Sequence, residues 1–212
     1  MVAVESLRDS LRRELQRRGA HFCTAEEGRR LRAAVWPGGV LARSVVGRSA
    51  TEIAEQAGVD VKPGTRLLVC SVLAASEQDP LCREKLSPIL GMAHVRDFED
   101  AVKMVCRLTG QFGRGHSCGI HTNRPEQICH LARAVKTSRL MVNQSTGAGN
   151  SGSFSNGMPF TTTLSCGTWG GSLVGENVNW RNFLNYTWVS RPIDRPKTDW
   201  SQLVAPYVGA RA

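Results

Sequence analysis

The chain has 212 residues, 41% hydrophobic and 21% charged, a composition that excludes a disordered tract, a coiled coil or a collagen-like repeat and leaves ample length for a buried core. No apolar run approaches the roughly 18 residues of a membrane span, and Met1-Val2-Ala3-Val4-Glu5 lacks the layout of a secretory leader, so a soluble, cytoplasmic protein is expected. The formal charge is +9, and the seven cysteines have no regular spacing, which points to reduced thiols rather than a disulfide framework.

Val2-Ala3-Val4 is a short apolar stub, read as the remnant of a strand. Ser6 is placed to cap a helix carrying Leu7, Leu11 and Leu15 and ending at Gly19. Residues 1–48 hold ten arginines against five acids. These fall mostly on polar helix faces, with Glu14, Glu26 and Glu27 among them and no aromatic side chains interleaved to stack bases. That pattern fits a solvated surface and makes nucleic acid an unexpected partner. Thr24-x-x-Glu27 and Ser49-x-x-Glu52 are capping boxes, opening helices that run to Val35 and to Gly58. After the turn Lys62-Pro63-Gly64, residues Arg66 to Val72 read as a buried strand. Asp97 caps a helix with Phe98, Ala101, Val102, Val105 and Leu108 on one face, ended by Gly110. Residues 116–122 form a strand, Pro125 opens a helix through Val135, and Arg139 to Asn143 form another strand. Strand, helix, strand, helix, strand predicts an α/β fold with layered parallel strands. Residues 144–179 are rich in Gly, Ser, Thr and Asn, a long irregular stretch of the kind that carries function or an interface. A last strand is expected from Leu184 to Val189.

Three motifs tempt and fail. Gly147-Ala148-Gly149-Asn150-Ser151-Gly152 matches G-x-G-x-x-G, but no apolar helical period follows and Pro159 intervenes, so a flexible loop is expected. His116, Cys118, His121, Cys129 and His130 resemble a zinc set, yet Cys118 and His121 face opposite sides of a strand and Cys129 and His130 diverge by about 100° on a helix. No metal is expected there. Cys166-Gly167-Thr168-Trp169 suggests a thiol nucleophile, but no base is identifiable by spacing, and a small buried cysteine is the simpler reading.

Taken together, Glu84-Lys85-Leu86-Ser87-Pro88, Asp97 to Val102, Gly115-His116-Ser117 through His121-Thr122, Arg139 to Asn143, and Leu164 to Gly171 with Glu176-Asn177 follow one order. In that order they resemble the C-terminal half of the CoA-acylating aldehyde dehydrogenases, over roughly residues 2–189. The resemblance implies a parallel-sheet catalytic domain, with residues 1–179 as its portion and residues 180–212 as a C-terminal oligomerisation arm and tail. It implies an NAD- or NADP-dependent oxidation of an aldehyde to an acyl-CoA, with coenzyme A as co-substrate and a homo-oligomer or a complementing subunit as partner. Glu84, shaped by Ser87 and Pro88, is then the residue for the nicotinamide ribose, since a carboxylate accepts from both hydroxyls of a diol. His116 becomes the imidazole near the thioester, as general base or CoA contact. Cys166, Gly167, Thr168 and Trp169 border the substrate tunnel.

Two departures stand out. Ser165 precedes Cys166 and Ser172-Leu173 follows Gly171, where relatives commonly read G-C-G-T-W-G-G-N-S. The family's nucleophilic cysteine lies just before the strand with which this chain begins, and none of the seven cysteines occupies that position. Ala75-Ser76-Glu77-Gln78 echoes the nucleophile turn, with Ala74 where the cysteine would stand. A truncated segment, inactive alone, is expected, or a non-catalytic module that completes a dehydrogenase partner.

Overall fold

Both capping boxes form in the computed structural model, which describes every residue except 73–75, 77, 162–165, 193, 195–198 and 209–212. The Thr24 N–H donates to the Glu27 carboxylate at 2.6 Å and the Glu27 N–H to the Thr24 hydroxyl at 3.2 Å. Ser49 and Glu52 repeat the arrangement. With their first donors satisfied, α2 (Ala25–Val35) and α3 (Ala50–Gln56) begin where the sequence indicates.

Those helices pack Leu31, Val35, Ile53 and Ala54 onto a four-stranded sheet, against its inner strand β3 (Leu67–Ser71). Leu68 and Cys70 face that layer. Val69 faces the other way, with Ala3, Met92 and the leucines Leu11 and Leu15 of α1 (Arg8–Arg17). A strand covered on both sides is apolar throughout, as parallel strands require. The sheet runs β1 (Val2–Val4), β4 (Ile89–Val95), β3, β2 (Ala20–Phe22), with every neighbouring pair parallel. A second parallel pair joins β5 (Gly115–Ile120) to β6 (Thr137–Val142). There α4 (Phe98–Phe112) and α5 (Pro125–Ala134) set Val102, Leu131 and Val135 against Cys118 and Ile120. The fold is a layered α/β structure with parallel strands.

Several elements differ from expectation. Ser6 does not cap α1: it sits within a 3₁₀ turn, Glu5–Leu7, and the backbone passes directly into the helix. Gly110 does not end α4, which continues to Phe112 before Gly113, because one helical glycine costs only about 1 kcal/mol against a packed apolar face. Strand β4 was hidden by Gly91 and Ala93, poor strand formers held in place by burial on both sides. Gly147-Ala148-Gly149 is not wholly irregular, since Ser145 caps one helical turn, α6 (Thr146–Gly149). The chain divides into two compact units, Met1–Asn179 and Trp180–Ala212. In the second, Leu184 to Val189 form no strand ladder: they follow a 3₁₀ turn, Trp180–Phe183, and precede α7 (Trp200–Val208). An extended segment becomes a strand only against a partner edge, and this unit supplies none among its described residues.

Candidate functional site

The crossover from β3 to β4 carries Glu84 and Pro88. It opens with a 3₁₀ turn, Pro80–Cys82, capped by Asp79, whose carboxylate accepts from the Leu81 N–H at 3.0 Å. Arg32 of α2 grips the same carboxylate with two N–H bonds of 3.1 and 3.0 Å and donates to the Ser71 carbonyl at 3.2 Å. One guanidinium thus ties a helix, the end of β3 and the crossover together. The sequence reading left Arg32 among solvated arginines; the Asp79-Pro80 turn signature was the available hint that a carboxylate would be fixed there.

Burial works against the Asp79 charge, but the bonds from Arg32 and the Leu81 N–H outweigh it and hold the carboxyl below its ordinary value of 3.8. A depressed folded value means that its stabilisation is complete above the unfolded range, near pH 4, and is lost as pH falls through the folded value. Asp79→Asn is expected to cost about 2 kcal/mol near neutral pH and to flatten the acid limb of the stability profile. Urea melts between about pH 2 and 7 check this; an unchanged acid limb would contradict it.

Beyond the turn, Glu84 is exposed, with its carboxylate available to a ligand. Leu86 takes a left-handed φ of 49°, costing about 1–2 kcal/mol in a residue with a side chain, a strain typical of functional loops. Its carbonyl accepts from the Gly47 N–H at 2.9 Å, and the Pro88 carbonyl from the Leu68 N–H at 3.0 Å, so both ends of the segment are anchored. The Ser87 hydroxyl is buried without a hydrogen-bond partner. Burial pushes the Lys85 ammonium down despite Cys82 and Asp79 nearby. The Met1 ammonium donates to the Gly91 carbonyl at 2.7 Å and is lowered by burial and then by Lys85, which places the start of β1 beside this crossover.

The second cluster lies at the start of β5 and β6. The Nε2 atom of His116 is 3.1 Å from the Cys166 sulfur, a thiol–imidazole contact between residues fifty apart in sequence. Spacing gave no base for Cys166; the fold supplies one. Cys166 is half-buried rather than a core thiol, because its loop lies over the first residues of β5 and β6. That cover is close. A Cβ at Gly115 would collide with the Cys166 carbonyl, and one at Gly170 would lie 2.6 Å from the Arg114 carbonyl and 2.5 Å from the Cys166 Cβ. Gly167 and Gly171 bracket a 3₁₀ turn, Thr168–Gly170. Trp169 is half-exposed there, with the Lys136 ammonium 5.9 Å from its ring centre. Leu164 and Ser165 of the same motif lie outside the described residues, as do Ala74, Ala75 and Glu77 of the nucleophile-like echo.

Asn177, the last residue of the ordered motifs, stabilises the irregular stretch. It is 4% exposed, accepts from the Arg139 guanidinium, and donates to the carbonyls of Asn150 and Pro159 at 3.1 and 2.8 Å. Asn150 in turn donates to the Ser117 hydroxyl at 3.2 Å. A buried amide with its bonds satisfied fixes loop positions that a hydrophobic side chain could not.

Of the residues set aside as a zinc set, Cys118 is buried, His121 is exposed, and His130 lies 3.3 Å from Glu99. His21, Cys23 and Glu27 do come together, a grouping the sequence reading passed over.

No protein-family model matches the chain. It is 38% identical to the acylating sulfoacetaldehyde dehydrogenase of Bilophila wadsworthia over 91% of its length, covering 43% of that protein. Against the sulfoacetaldehyde dehydrogenase of an Acholeplasma species it is 40% identical over 90% of its length, covering 40% of the relative. The chain is a homologue of the CoA-acylating aldehyde dehydrogenases and matches a part of them. Among solved structures, the acetylating aldehyde dehydrogenase of Geobacillus thermoglucosidasius superposes with a TM-score of 0.83 at 28% identity, over 92% of this chain and 44% of that one. The chain therefore spans less than half the length of these dehydrogenases. Among the described residues no helix is long and apolar enough to cross a membrane.

Proposed function

We propose that this chain is the part of a CoA-acylating aldehyde dehydrogenase that contacts the nicotinamide ribose and delivers coenzyme A to the thioester. The observation that carries this reading is the His116–Cys166 contact, which holds an imidazole at the mouth of the loop that the resemblance assigns to the substrate tunnel. His116 takes the proton of the CoA thiol as that sulfur attacks the acyl carbon, and the enzyme thiolate leaves. Cys166 orients the ring.

Glu84 fits a cofactor ribose: its carboxylate is exposed on a loop anchored at both ends. NAD or NADP bound there supplies the hydride acceptor. Pro88 and the Arg32–Asp79 clamp hold Glu84 in place. The resemblance puts the nucleophile just before Val2, and the Met1 nitrogen stands beside Lys85 and Cys82, close in sequence to Glu84. In the second unit, Trp180, Phe183 and Trp188 are 65%, 80% and 94% exposed, which supports an arm that pairs with a second copy or a complementing subunit.

With acetaldehyde or sulfoacetaldehyde, CoA and NAD or NADP, the chain alone is expected to form no reduced cofactor. Sustained CoA-dependent reduction by the purified chain would refute the assignment of the nucleophile upstream of Val2.

A further inference from the structure

The turn from β2 to α2 gathers three side chains that the proposed function does not use. His21 lies in β2 and Cys23 directly follows it, its N–H donating to the Val69 carbonyl at 2.9 Å, so the extended backbone continues and both side chains fall on one face. Glu27 stands in the first turn of α2. The His21 Nε2 is 3.3 Å from a Glu27 carboxylate oxygen, and the imidazole, thiol and carboxylate ligand atoms all lie within 4.8 Å of one another. We propose that His21, Cys23 and Glu27 bind a borderline-soft divalent cation of the zinc type.

Bond lengths of roughly 2.0–2.3 Å in a tetrahedral zinc site separate ligand atoms by about 3.3–3.8 Å. The histidine–carboxylate edge already has that span, and the sulfur needs only a movement of rotamer size to complete it. A nitrogen, a sulfur and an oxygen donor are the mixture that zinc accepts, whereas calcium and magnesium would want oxygen alone. Charge balances too. On binding, the Cys23 thiol gives up its proton to solvent, and thiolate and carboxylate together neutralise the ion's two charges while imidazole binds neutral. The capping box already fixes the carboxylate, since the Thr24 N–H donates to it at 2.6 Å. The His21 and Glu27 side chains are 23% and 20% exposed, shielded from bulk water yet reachable. The Cys23 thiol shares a hydrogen bond with that of Cys70, which together with burial pushes it up, so binding must displace a held proton.

The test uses the purified, reduced, metal-free chain titrated with Co²⁺. One equivalent is expected to produce a thiolate-to-cobalt charge-transfer band that Zn²⁺ displaces. Cys23→Ser should abolish that band. Glu27→Gln, which keeps the capping acceptor, should weaken binding about tenfold or more. His21→Asn is a second variant that leaves the sulfur in place and is expected to lose tight binding while its circular dichroism matches the parent. A parent chain without a one-equivalent band, or a band that survives Cys23→Ser, overturns the site. Neither result depends on dehydrogenase activity.

Discussion

In an enzyme where this chain replaces the matching segment of a full-length relative, His116→Ala is expected to lower kcat by about 100-fold or more. The loss should fall on the step that consumes coenzyme A, because the imidazole acts on the CoA thiol. A thiol is mostly protonated at neutral pH, and the attacking species is the thiolate. Removing the base leaves that proton in place during attack. The oxidation step does not use His116, so a burst of reduced cofactor, one per active site, should survive in the variant while turnover stops. Cys166→Ala distinguishes base from orienter: with the imidazole intact, activity should remain within about tenfold of the parent. Stopped-flow absorbance of the reduced nicotinamide reads both phases. Equal losses in burst and turnover, or a larger loss from Cys166→Ala than from His116→Ala, would reverse these roles.

Gly170→Ala is expected to damage the substrate loop strongly. The added Cβ meets the Arg114 carbonyl at 2.6 Å and the Cys166 Cβ at 2.5 Å, neither of which is the end of a flexible side chain. The loop must lift off β5 and carry Cys166 away from His116. Overpacking of this kind costs about 1–3 kcal/mol, and the lost alignment should reduce activity of the joined enzyme by about tenfold or more. Gly147→Ala is the matched comparison, since a Cβ there meets nothing within 4 Å. It should leave both stability and activity unchanged. Thermal melts together with kcat separate the two variants, and a harmless Gly170→Ala would show that the loop tolerates displacement.

Much of the first unit could be read from local signals. Thr24 and Ser49 announce their helices because a capping box is a contact within four residues, and β3 announces itself because a strand buried on both faces must be apolar along its whole length. The weak points were of another kind. Strand β4 contains Gly91 because a Cβ there would lie 2.8 Å from the Leu81 carbonyl, a demand set by tertiary packing and invisible to propensity. Leu184 to Val189 have a strand's composition but no edge to pair with among the described residues of their unit, which composition cannot report.

The same division holds for the candidate site. Glu84, Pro88, His116 and the Cys166 loop were named from ordered motifs. The His116–Cys166 contact, the Arg32–Asp79 clamp and the Asn177 hub join residues 50, 47 and up to 38 positions apart. No spacing rule reaches across such distances. His21, Cys23 and Glu27 are close in sequence, yet they escaped notice because Glu27 already had a structural explanation as a cap.

The most direct measurement is CoA-dependent reduction of NAD or NADP by the joined enzyme, with an upstream segment carrying the nucleophile and this chain completing it. Formation of acyl-CoA and reduced cofactor in equal amounts, dependent on both aldehyde and CoA, is the expected result. A joined protein that folds and binds coenzyme A but reduces no cofactor would contradict the assignment of this chain to the acyl-CoA-forming half of the site.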